Sequence, residues 1–352
     1  MNHSELLSRY ADNTVAATLG IPAGRIAHAL VLWGRPHRHY HGMSHLADIL
    51  GRLAAGGLPR REREILELVA LYHDAVYIPG RSDNEEQSAA LFLADATKPG
   101  DDAELIAGII LDTTLRSPAV GLSAEFRSLD MHVKTHGSFA DAFGYERGIF
   151  LEFQQWSFPE YRHKRIAFLE ELARRVPEAA RNAAFLSEVL TTARPRIGIY
   201  PGTFAPFHTG HLSILEKAER LFDKVVVAIG INPDKDAREP VTRLAEVQRL
   251  LPFHEVITFT GFLTDLTRRY EEYADITVIR GLRNGNDLDY EVNQLRFMEE
   301  LYPKISTMYL VCDKQFEHIS SSAIRNLSKI DPAFASRYTP DKYAYHQQES
   351  QQ

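Results

Sequence analysis

Two histidines, His208 and His211, lie in a glycine- and proline-rich stretch, PGTFAPFHTGH, that ends at His211. A short β-rich run precedes the stretch, and an amphipathic segment, SILEKAERLF, follows it. A turn from a parallel strand into a helix start presents free backbone N–H groups and the positive end of the helix dipole. Such a turn suits phosphate binding, and two imidazoles above it could stabilise charge developing on a phosphate under attack. The pattern therefore predicts phosphoryl-group chemistry at this turn.

Further phosphate-binding side chains follow later β-rich runs. Lys235 lies in the turn NPDKD, where its ammonium could bridge two phosphates as a point charge. Arg280 and Arg283 lie in IRGLRNGNDLDYE, and guanidinium groups suit bidentate phosphate binding. Ser320–Ser322 stand at a predicted helix start, with Arg325 one turn further on. Loops that follow parallel strands meet at one edge of a sheet, so we expect these groups to converge there.

The elements that must position these residues alternate between strand and helix. Five short runs beyond Thr191 are rich in β-forming residues, namely RIGIY at Arg196, KVVVAIG at Lys224, EVITFT at Glu255, ITVIR at Ile276 and TMYLV at Thr307. Their alternation with amphipathic segments implies right-handed crossovers and a sheet covered on both faces. We therefore predict an α/β Rossmann-like domain with a parallel five-stranded sheet over residues 194–342.

The first half of the chain has a different pattern, with apolar residues at helical spacing and little strand patterning. It predicts an all-α domain over residues 1–190, so the fold class is multidomain. The expected helices are Glu5–Thr18, Ser44–Leu53, Arg61–His73, Asn84–Asp95, Ala103–Thr113 and Pro159–Arg175. Residues Thr191–Pro195 are expected to be the linker. A polar tail is expected at 343–352, and its glutamine-rich part, Tyr345–Gln352, is expected to be disordered.

Length and composition agree with two soluble domains. The chain has 352 residues, of which 44% are hydrophobic and 25% charged, enough to bury a core in each half. A net charge of −7 argues against nucleic acid or an anionic membrane as a partner. One cysteine, Cys312, excludes an internal disulfide and a multi-cysteine zinc site. No stretch has the pattern of a signal peptide or membrane helix, so we expect a cytoplasmic protein.

Histidines and aspartates in the first half have a spacing that suits a metal. His41 and His45 are four residues apart and would share a face if both were helical. His73 and Asp74 are adjacent, and Asp130 is the candidate for a last ligand. Imidazole and carboxylate groups together form mixed nitrogen and oxygen sites for divalent metals. The pattern predicts such a site in the helical half.

The second half resembles phosphopantetheine adenylyltransferase, within the nucleotidyltransferase superfamily that carries HxGH and ISSS-type motifs. YPGTF, NPxK, IRGLR followed by D-x-x-YE, and ISSS occur at the family's relative positions over Arg196–Tyr338. The resemblance implies transfer of AMP from ATP to 4′-phosphopantetheine, with Mg²⁺ carried by the ATP. It also implies a homo-oligomer, usually a hexamer.

The resemblance assigns roles to individual residues. It places Thr203 and His211 at the transferring phosphoryl group, Lys235 and Arg280 on the acceptor phosphate, and Glu291 near the ribose. With His208, the first four are the predicted catalytic residues. The predicted ATP-binding residues are Gly202, Phe204, Gly210, Arg283, Glu291, Ser320, Ser321, Ser322 and Arg325.

Other interpretations of the second half stay open. Ala205 stands where the family commonly has aspartate, and HTGH stands where it has TNGH. The acceptor could therefore be another phosphate, such as nicotinamide mononucleotide. Arg280 or Arg283 could instead form a salt bridge at an interface. From a different class, the chain could be a nucleotide-sensing regulator with little turnover.

The first half resembles the HD superfamily of metal-dependent phosphohydrolases over Tyr40–Phe168, through YHGMSH, YHDAVY and NEEQSA. The resemblance implies a metal that activates water for attack on a phosphoester. The implied ligands are His45, His73, Asp74 and Asp130, and the metal would be Mn²⁺, Fe²⁺, Ni²⁺ or Mg²⁺. His41 and Glu85 are candidates for proton transfer. A degenerate HD domain that binds nucleotide and regulates its neighbour is the alternative.

Overall fold

The chain divides into two compact units in a computed structural model that describes residues 3–98, 100–114, 119–231 and 240–349. The first unit comprises Met1–Glu152 and His163–Thr191. The second comprises Phe153–Arg162 and Thr192–Gln352. Residues 153–162 fall within the predicted helical domain 1–190, whereas in the structure they group with the second unit.

The first unit is helical throughout its described residues. Its α-helices, with α11 beginning inside the segment that groups with the second unit, are α1 His3–Ala11, α2 Thr14–Thr18, α3 Ala23–Trp33, α4 Met43–Ala55, α5 Arg60–Tyr72, α6 Asn84–Asp95, α7 Asp101–Asp112, α8 Leu122–Asp130, α9 His132–His136, α10 Phe139–Glu152, α11 Phe158–Arg175 and α12 Ala180–Thr192. A 3₁₀ turn at Pro177–Ala179 precedes α12. Residues 64–72 of α5 are all buried, as expected of a helix surrounded by others. No helix in the described part of the chain is long and apolar enough to cross a membrane.

One predicted helix of this unit is two helices. The expected helix Glu5–Thr18 is interrupted at Asn13, whose side-chain oxygen accepts a hydrogen bond from the Ala16 N–H at 2.9 Å. The Asn13 amide donates to the Glu64 carbonyl at 3.0 Å. Asn13 thus caps α2 and ties it to α5, because asparagine at a cap satisfies N–H groups that a helix start leaves free.

The second unit contains the predicted sheet. Its strands are β1 Arg196–Gly202, β2 Lys224–Gly230, β3 Glu255–Phe259, β4 Asp275–Leu282 and β5 Thr307–Val311. They pair in the order β3-β2-β1-β4-β5, and every pairing is parallel. The five predicted strands and the parallel sheet are confirmed. Central β1 and β2 are almost wholly buried, which explains their nearly continuous apolar runs.

Helices follow each strand of the second unit. They are α13 Thr209–Glu219, α14 Pro240–Leu250, α15 Leu263–Glu271, α16 Gly285–Leu301, α17 Ser321–Ser328, α18 Pro332–Ala335 and α19 Ala344–Glu349, with 3₁₀ turns at Lys314–Phe316 and Ser336–Tyr338. The prediction of a disordered tail is wrong for α19. Buried Tyr343 leads into this helix, and its ring packs edge-on against Phe253, 5.4 Å between centroids. The His346 ring also packs on Phe253, 5.0 Å between centroids.

A buried lysine joins the sheet to the segment 153–162. Lys224, at the start of β2, has a fully buried side chain that pairs with Glu255 at 3.1 Å. Its ammonium also donates to the carbonyls of Gln154 and Trp156, the latter at 3.0 Å. Burial lowers the pKa of Lys224, and the charge of Glu255 opposes that shift. Because a buried charge needs partners for its donors, the upstream segment is an integral part of the second unit.

Candidate functional site

The loop between β1 and α13 is folded around an aromatic side chain. Phe204 has a positive φ of 45° and its ring is buried. The ring lies so close to Gly202 that a Cβ there would be 2.7 Å from it. Phe204 also contacts His211 edge-to-face, 5.1 Å between centroids. Gly202 and Phe204, predicted as ATP-binding residues, therefore shape the loop and support His211 from below.

The two histidines of HTGH come together at the start of α13. Their rings stack with centroids 3.6 Å apart and planes at 24°. The His208 backbone N–H donates to Nδ1 of His211 at 3.2 Å. Nδ1 is thus an acceptor, and the proton of a neutral His211 must be on Nε2. Gly210 permits this approach, since a Cβ there would lie 3.1 Å from the His208 ring.

Both imidazoles are neutral at physiological pH. Burial, followed by the positive charge of Arg283, lowers the pKa of His208 to about 4. Burial, His208 and Arg283 lower the pKa of His211 well below its usual value. As a neutral imidazole, His211 can therefore donate a hydrogen bond from its Nε2–H to a phosphate oxygen.

A cavity of about 350 Å³ lies above these histidines, at the carboxyl edge of the sheet. The sequence-predicted residues that line it are His208, Gly210, His211, Arg283, Glu291, Ser320 and Ser321. Three others, Thr203, Phe204 and Arg325, line a separate cavity of about 840 Å³. Gly202, Arg280 and Ser322 line neither of these two cavities. Lys235 lies outside the described residues.

The predicted phosphate-binding arginines are held by carboxylates. Arg283 makes a bidentate pair with Asp287, with Nε–Oδ2 2.9 Å and Nη2–Oδ1 2.8 Å. Arg280 makes one with Glu291, at 2.5 and 2.7 Å. The resemblance assigned Arg280 and Glu291 to different parts of the substrates, but the structure joins them in one ion pair. A bidentate pair fixes the plane of each guanidinium group and leaves its other N–H groups for a ligand.

The serine motif ties α17 to the β1–α13 loop. The Ser321 hydroxyl donates to the Pro206 carbonyl at 3.0 Å. Arg325 donates to the Ala205 carbonyl and, at 2.8 Å, to the Ser322 hydroxyl. Arg325 and Ser322 therefore hold the loop in place, whereas only Ser321 of these three also faces the smaller cavity.

Ser320 has a separate local role. It is the N-cap of α17, where its hydroxyl accepts from the Ala323 N–H at 3.1 Å. Ser320 and Ser321, at this capped helix start, line the cavity, and the free N–H groups of a helix start suit an anion.

Several lining residues were not predicted. Asp287 and Tyr290 lie within IRGLRNGNDLDYE, so a signal for them was present in that motif. Gly281 and Leu282 belong to the same motif, Tyr200 belongs to YPGTF and Ile319 to ISSS. The remaining ones lie outside the quoted motifs, namely Ile214, Cys312 and Phe316. They reach the cavity through the packing of strands and helices that are distant in sequence.

The four predicted metal ligands of the first unit come together. Ligand atoms of His45, His73 and Asp130 lie within 4.8 Å of one another, with His45 Nε2 3.0 Å from Asp130 Oδ1. His73 Nε2 lies 3.2 Å from Asp74 Oδ2 and 3.8 Å from Asp130 Oδ1. These side chains are contributed by the ends of α5 and α8 and the first turn of α4. We call these four residues the His–Asp cluster.

The state of His73 suits a metal ligand. Its Nδ1 donates to the Ala70 carbonyl at 3.0 Å, so Nε2 is the nitrogen that faces the carboxylates. Nε2 is buried and has no partner in hydrogen-bond geometry among the described residues. Burial lowers the pKa of His73, but Asp74 and Asp130 outweigh burial and raise it to about 10. The carboxylates thus favour a positive charge at this point, and a bound cation would supply one.

A buried carboxylate positions the loop before α4. One oxygen of Glu152 accepts from the backbone N–H groups of His39, Tyr40 and His41 at 2.7–2.9 Å. The other accepts from Nδ1 of His41 at 2.7 Å and from the Tyr77 hydroxyl at 2.8 Å. His41 is thereby oriented with Nε2 unbonded to Glu152. Glu152 was not predicted, because its partners lie about a hundred residues upstream.

Glu85, the second proton-transfer candidate, lies in the first turn of α6 and is half-buried. It is not one of the described side chains whose ligand atoms come together. A role for it therefore stays a prediction.

The second unit is similar in sequence to known proteins. The cytidylyltransferase-like family profile matches residues 199–327. Phosphopantetheine adenylyltransferase from Clostridium tetani is 36% identical over 136 residues, which are 38% of this chain and 83% of the relative. The enzyme of that name from Clostridium botulinum is 32% identical over 138 residues, 38% of this chain and 85% of the relative. That from Caldanaerobacter subterraneus is 31% identical over 150 residues, 42% and 91% respectively.

Proposed function

Through its second unit this chain belongs to the phosphopantetheine adenylyltransferase family, and we propose that it transfers AMP from ATP to 4′-phosphopantetheine. An oxygen of the acceptor phosphate attacks the α-phosphorus, the bond to the β-phosphate oxygen breaks, and pyrophosphate leaves. The product is dephospho-coenzyme A. No covalent enzyme intermediate is needed, because positioning and charge stabilisation can carry such a transfer.

The observation that supports this proposal most directly is the fixed, neutral tautomer of His211 at the mouth of the α13 helix. Its Nε2–H donates to a non-bridging oxygen of the α-phosphate, where charge increases as the acceptor attacks. Arg283, Ser320 and Ser321 surround the same cavity and bind the phosphates that leave. Mg²⁺ carried with ATP neutralises part of the charge on those phosphates.

An alternative acceptor remains a second candidate for this unit, because Ala205 lies in the loop beside the histidines. We would measure pyrophosphate release by the full chain with ATP and Mg²⁺, comparing 4′-phosphopantetheine with nicotinamide mononucleotide. Release with phosphopantetheine alone is the expected result. Release with nicotinamide mononucleotide alone would contradict the proposed acceptor, and release with neither would contradict adenylyl transfer. CTP in place of ATP tests the nucleotide.

We propose that the second unit forms a homo-oligomer, as the family's usual hexamer, through α16. This helix has large apolar side chains that face water, among them Tyr290, Phe297 (64% exposed) and Leu301. The Tyr309 hydroxyl of β5, one of the two edge strands of the sheet, donates to the Glu291 carbonyl of α16 at 3.4 Å. Exposed aromatic clusters of this kind are typical of interaction surfaces.

Phe297→Asp should therefore lower the molar mass in solution, because a buried, unpaired carboxylate opposes association. Light scattering coupled to gel filtration measures this. Ile330→Asp is the matched control, since Ile330 is 83% exposed and lies outside α16. If both variants have the mass of the unaltered chain, α16 is not the interface.

For the first unit we propose a metal-dependent phosphohydrolase, with His45, His73, Asp74 and Asp130 as ligands. Ligand atoms of His45, His73 and Asp130 within 4.8 Å of one another, with Asp74 Oδ2 3.2 Å from His73 Nε2, favour it. These residues would hold Mn²⁺, Fe²⁺, Ni²⁺ or Mg²⁺, and the metal would supply a water of lowered pKa for attack on a phosphoester. His41, oriented by Glu152, is the group that would handle a proton. A regulatory domain that binds nucleotide without turnover is the alternative, and phosphate-ester hydrolysis by the metal-loaded chain separates the two.

A further inference from the structure

Two hydrogen-bond donors beside the His–Asp cluster have no acceptor among the described residues. Lys134 lies on α9, four residues after Asp130, and its ammonium is 5.4 Å from the Tyr145 ring centroid. It makes no hydrogen bond or ion pair with the described part of the chain. Lys134 therefore lies on the helix that follows Asp130, with its ammonium over the ring of Tyr145.

The second donor is the hydroxyl of Tyr40. This hydroxyl is buried and has no hydrogen-bond partner in the described residues. The Tyr40 ring lies 4.8 Å from the His45 ring and packs edge-to-face on Tyr145 at 4.6 Å. Tyr40 thus contacts both His45 of the cluster and Tyr145, the ring over which the Lys134 ammonium also lies.

Charge indicates what these donors would bind. As metal ligands, Asp74 and Asp130 would each carry a negative charge. A divalent cation on two carboxylates and two neutral imidazoles gives a neutral centre. The ammonium of Lys134 would then leave one net positive charge near the buried Tyr40 hydroxyl, which has no partner among the described residues. A tetrahedral anion with several acceptor oxygens fits that arrangement.

We propose that Lys134 and Tyr40 form a phosphate-binding subsite that holds the phosphoryl group of the substrate next to the metal. This inference rests on the proposed metal-dependent function of the first unit. Lys134 contributes the charge and Tyr40 a directional hydrogen bond, while the ring of Tyr145 supports both. The ligand class is a phosphate monoester or diester with an exposed phosphoryl oxygen.

A purely structural role makes different predictions for the same residues. If Lys134 only offsets the charge of Asp130, its loss should lower the stability of the metal-free chain and leave phosphate binding unchanged. If the subsite exists, removing the ammonium should weaken phosphate binding but leave Mn²⁺ binding equal or tighter, because one positive charge near the metal is lost. Removing the Tyr40 hydroxyl should not lower the melting temperature, since that hydroxyl has no partner to lose.

The experiment uses the full chain loaded with Mn²⁺ and inorganic phosphate as the probe. Mn²⁺-induced relaxation of the ³¹P signal reports only phosphate close to the metal, so phosphate at the second unit does not contribute. We expect Lys134→Met to weaken phosphate binding by at least about tenfold and Tyr40→Phe by about fivefold. Lys98→Met, an exposed lysine of the same unit, is the matched control and should not change it.

Two results would overturn the inference. Unchanged ³¹P relaxation in both variants, with normal Mn²⁺ binding, would overturn the subsite alone. Failure of the unaltered chain to bind Mn²⁺ would overturn the metal-dependent function and the subsite with it. Mn²⁺ titrations on all four proteins separate these outcomes.

Discussion

Replacement of His211 by alanine lowers the rate of adenylyl transfer by about two to three orders of magnitude, the loss expected when one donor to the developing charge is removed. The Nε2–H of His211 is the donor, and its tautomer is set by the His208 backbone. Because the charge it stabilises grows mainly in the transition state, kcat should fall far more than the affinity for ATP. Pyrophosphate release under saturating substrates measures the first, and equilibrium ATP binding the second.

His163→Ala provides the control for this variant. His163 is an exposed histidine of the first unit, so its removal should leave the rate unchanged. A His211→Ala enzyme that keeps more than about a third of the rate would contradict the role of His211. Circular dichroism of each variant establishes that the fold is retained.

The second large effect is expected at the metal cluster. Asp130→Asn should weaken Mn²⁺ binding by at least about a hundredfold, because a neutral amide replaces the carboxylate that lies against both His45 and His73. The metal content of the purified protein and a Mn²⁺ titration of the metal-free chain measure the effect. Loss of phosphoester hydrolysis should accompany it.

Asp141→Asn is the matched control for the cluster. Asp141 is an exposed aspartate of the same unit that bonds to Ser138. Its substitution should leave Mn²⁺ binding as it is. Equal Mn²⁺ affinity in the Asp130→Asn and Asp141→Asn proteins would show that the metal, if bound, lies elsewhere.

The sheet of the second unit could be predicted because each strand carries its own signal. A parallel strand covered on both faces is a continuous apolar run, and β1 and β2 have that pattern. The loop motifs could also be predicted, since their functional residues lie within a few consecutive positions of the sequence. The pairing of Arg280 with Glu291 could not, because it joins a strand to a helix through a crossover whose geometry no local pattern specifies.

In the first unit, the residues that chemistry singles out were predictable and those that support them were not. His45, His73 and Asp130 are recognisable as possible ligands whatever their surroundings. Glu152 and Lys134 are an ordinary glutamate and lysine in the sequence, and only tertiary packing brings Glu152 to His41 and Lys134 to the ring of Tyr145. The break at Asn13 was hidden for the same reason: its amide partner lies on α5.

The hydrogen bonds of Lys224 show that the second unit needs residues from the first half of the sequence. Two of the acceptors around its ammonium are the carbonyls of Gln154 and Trp156. In the sequence, both residues precede His163–Thr191, the last part of the helical unit. A gene for residues 194–352 alone would specify a buried ammonium that keeps Glu255 and loses both carbonyls. The two units are therefore interleaved in the sequence rather than consecutive. Recombination at the linker would separate the sheet from residues 153–162, which belong to the same unit.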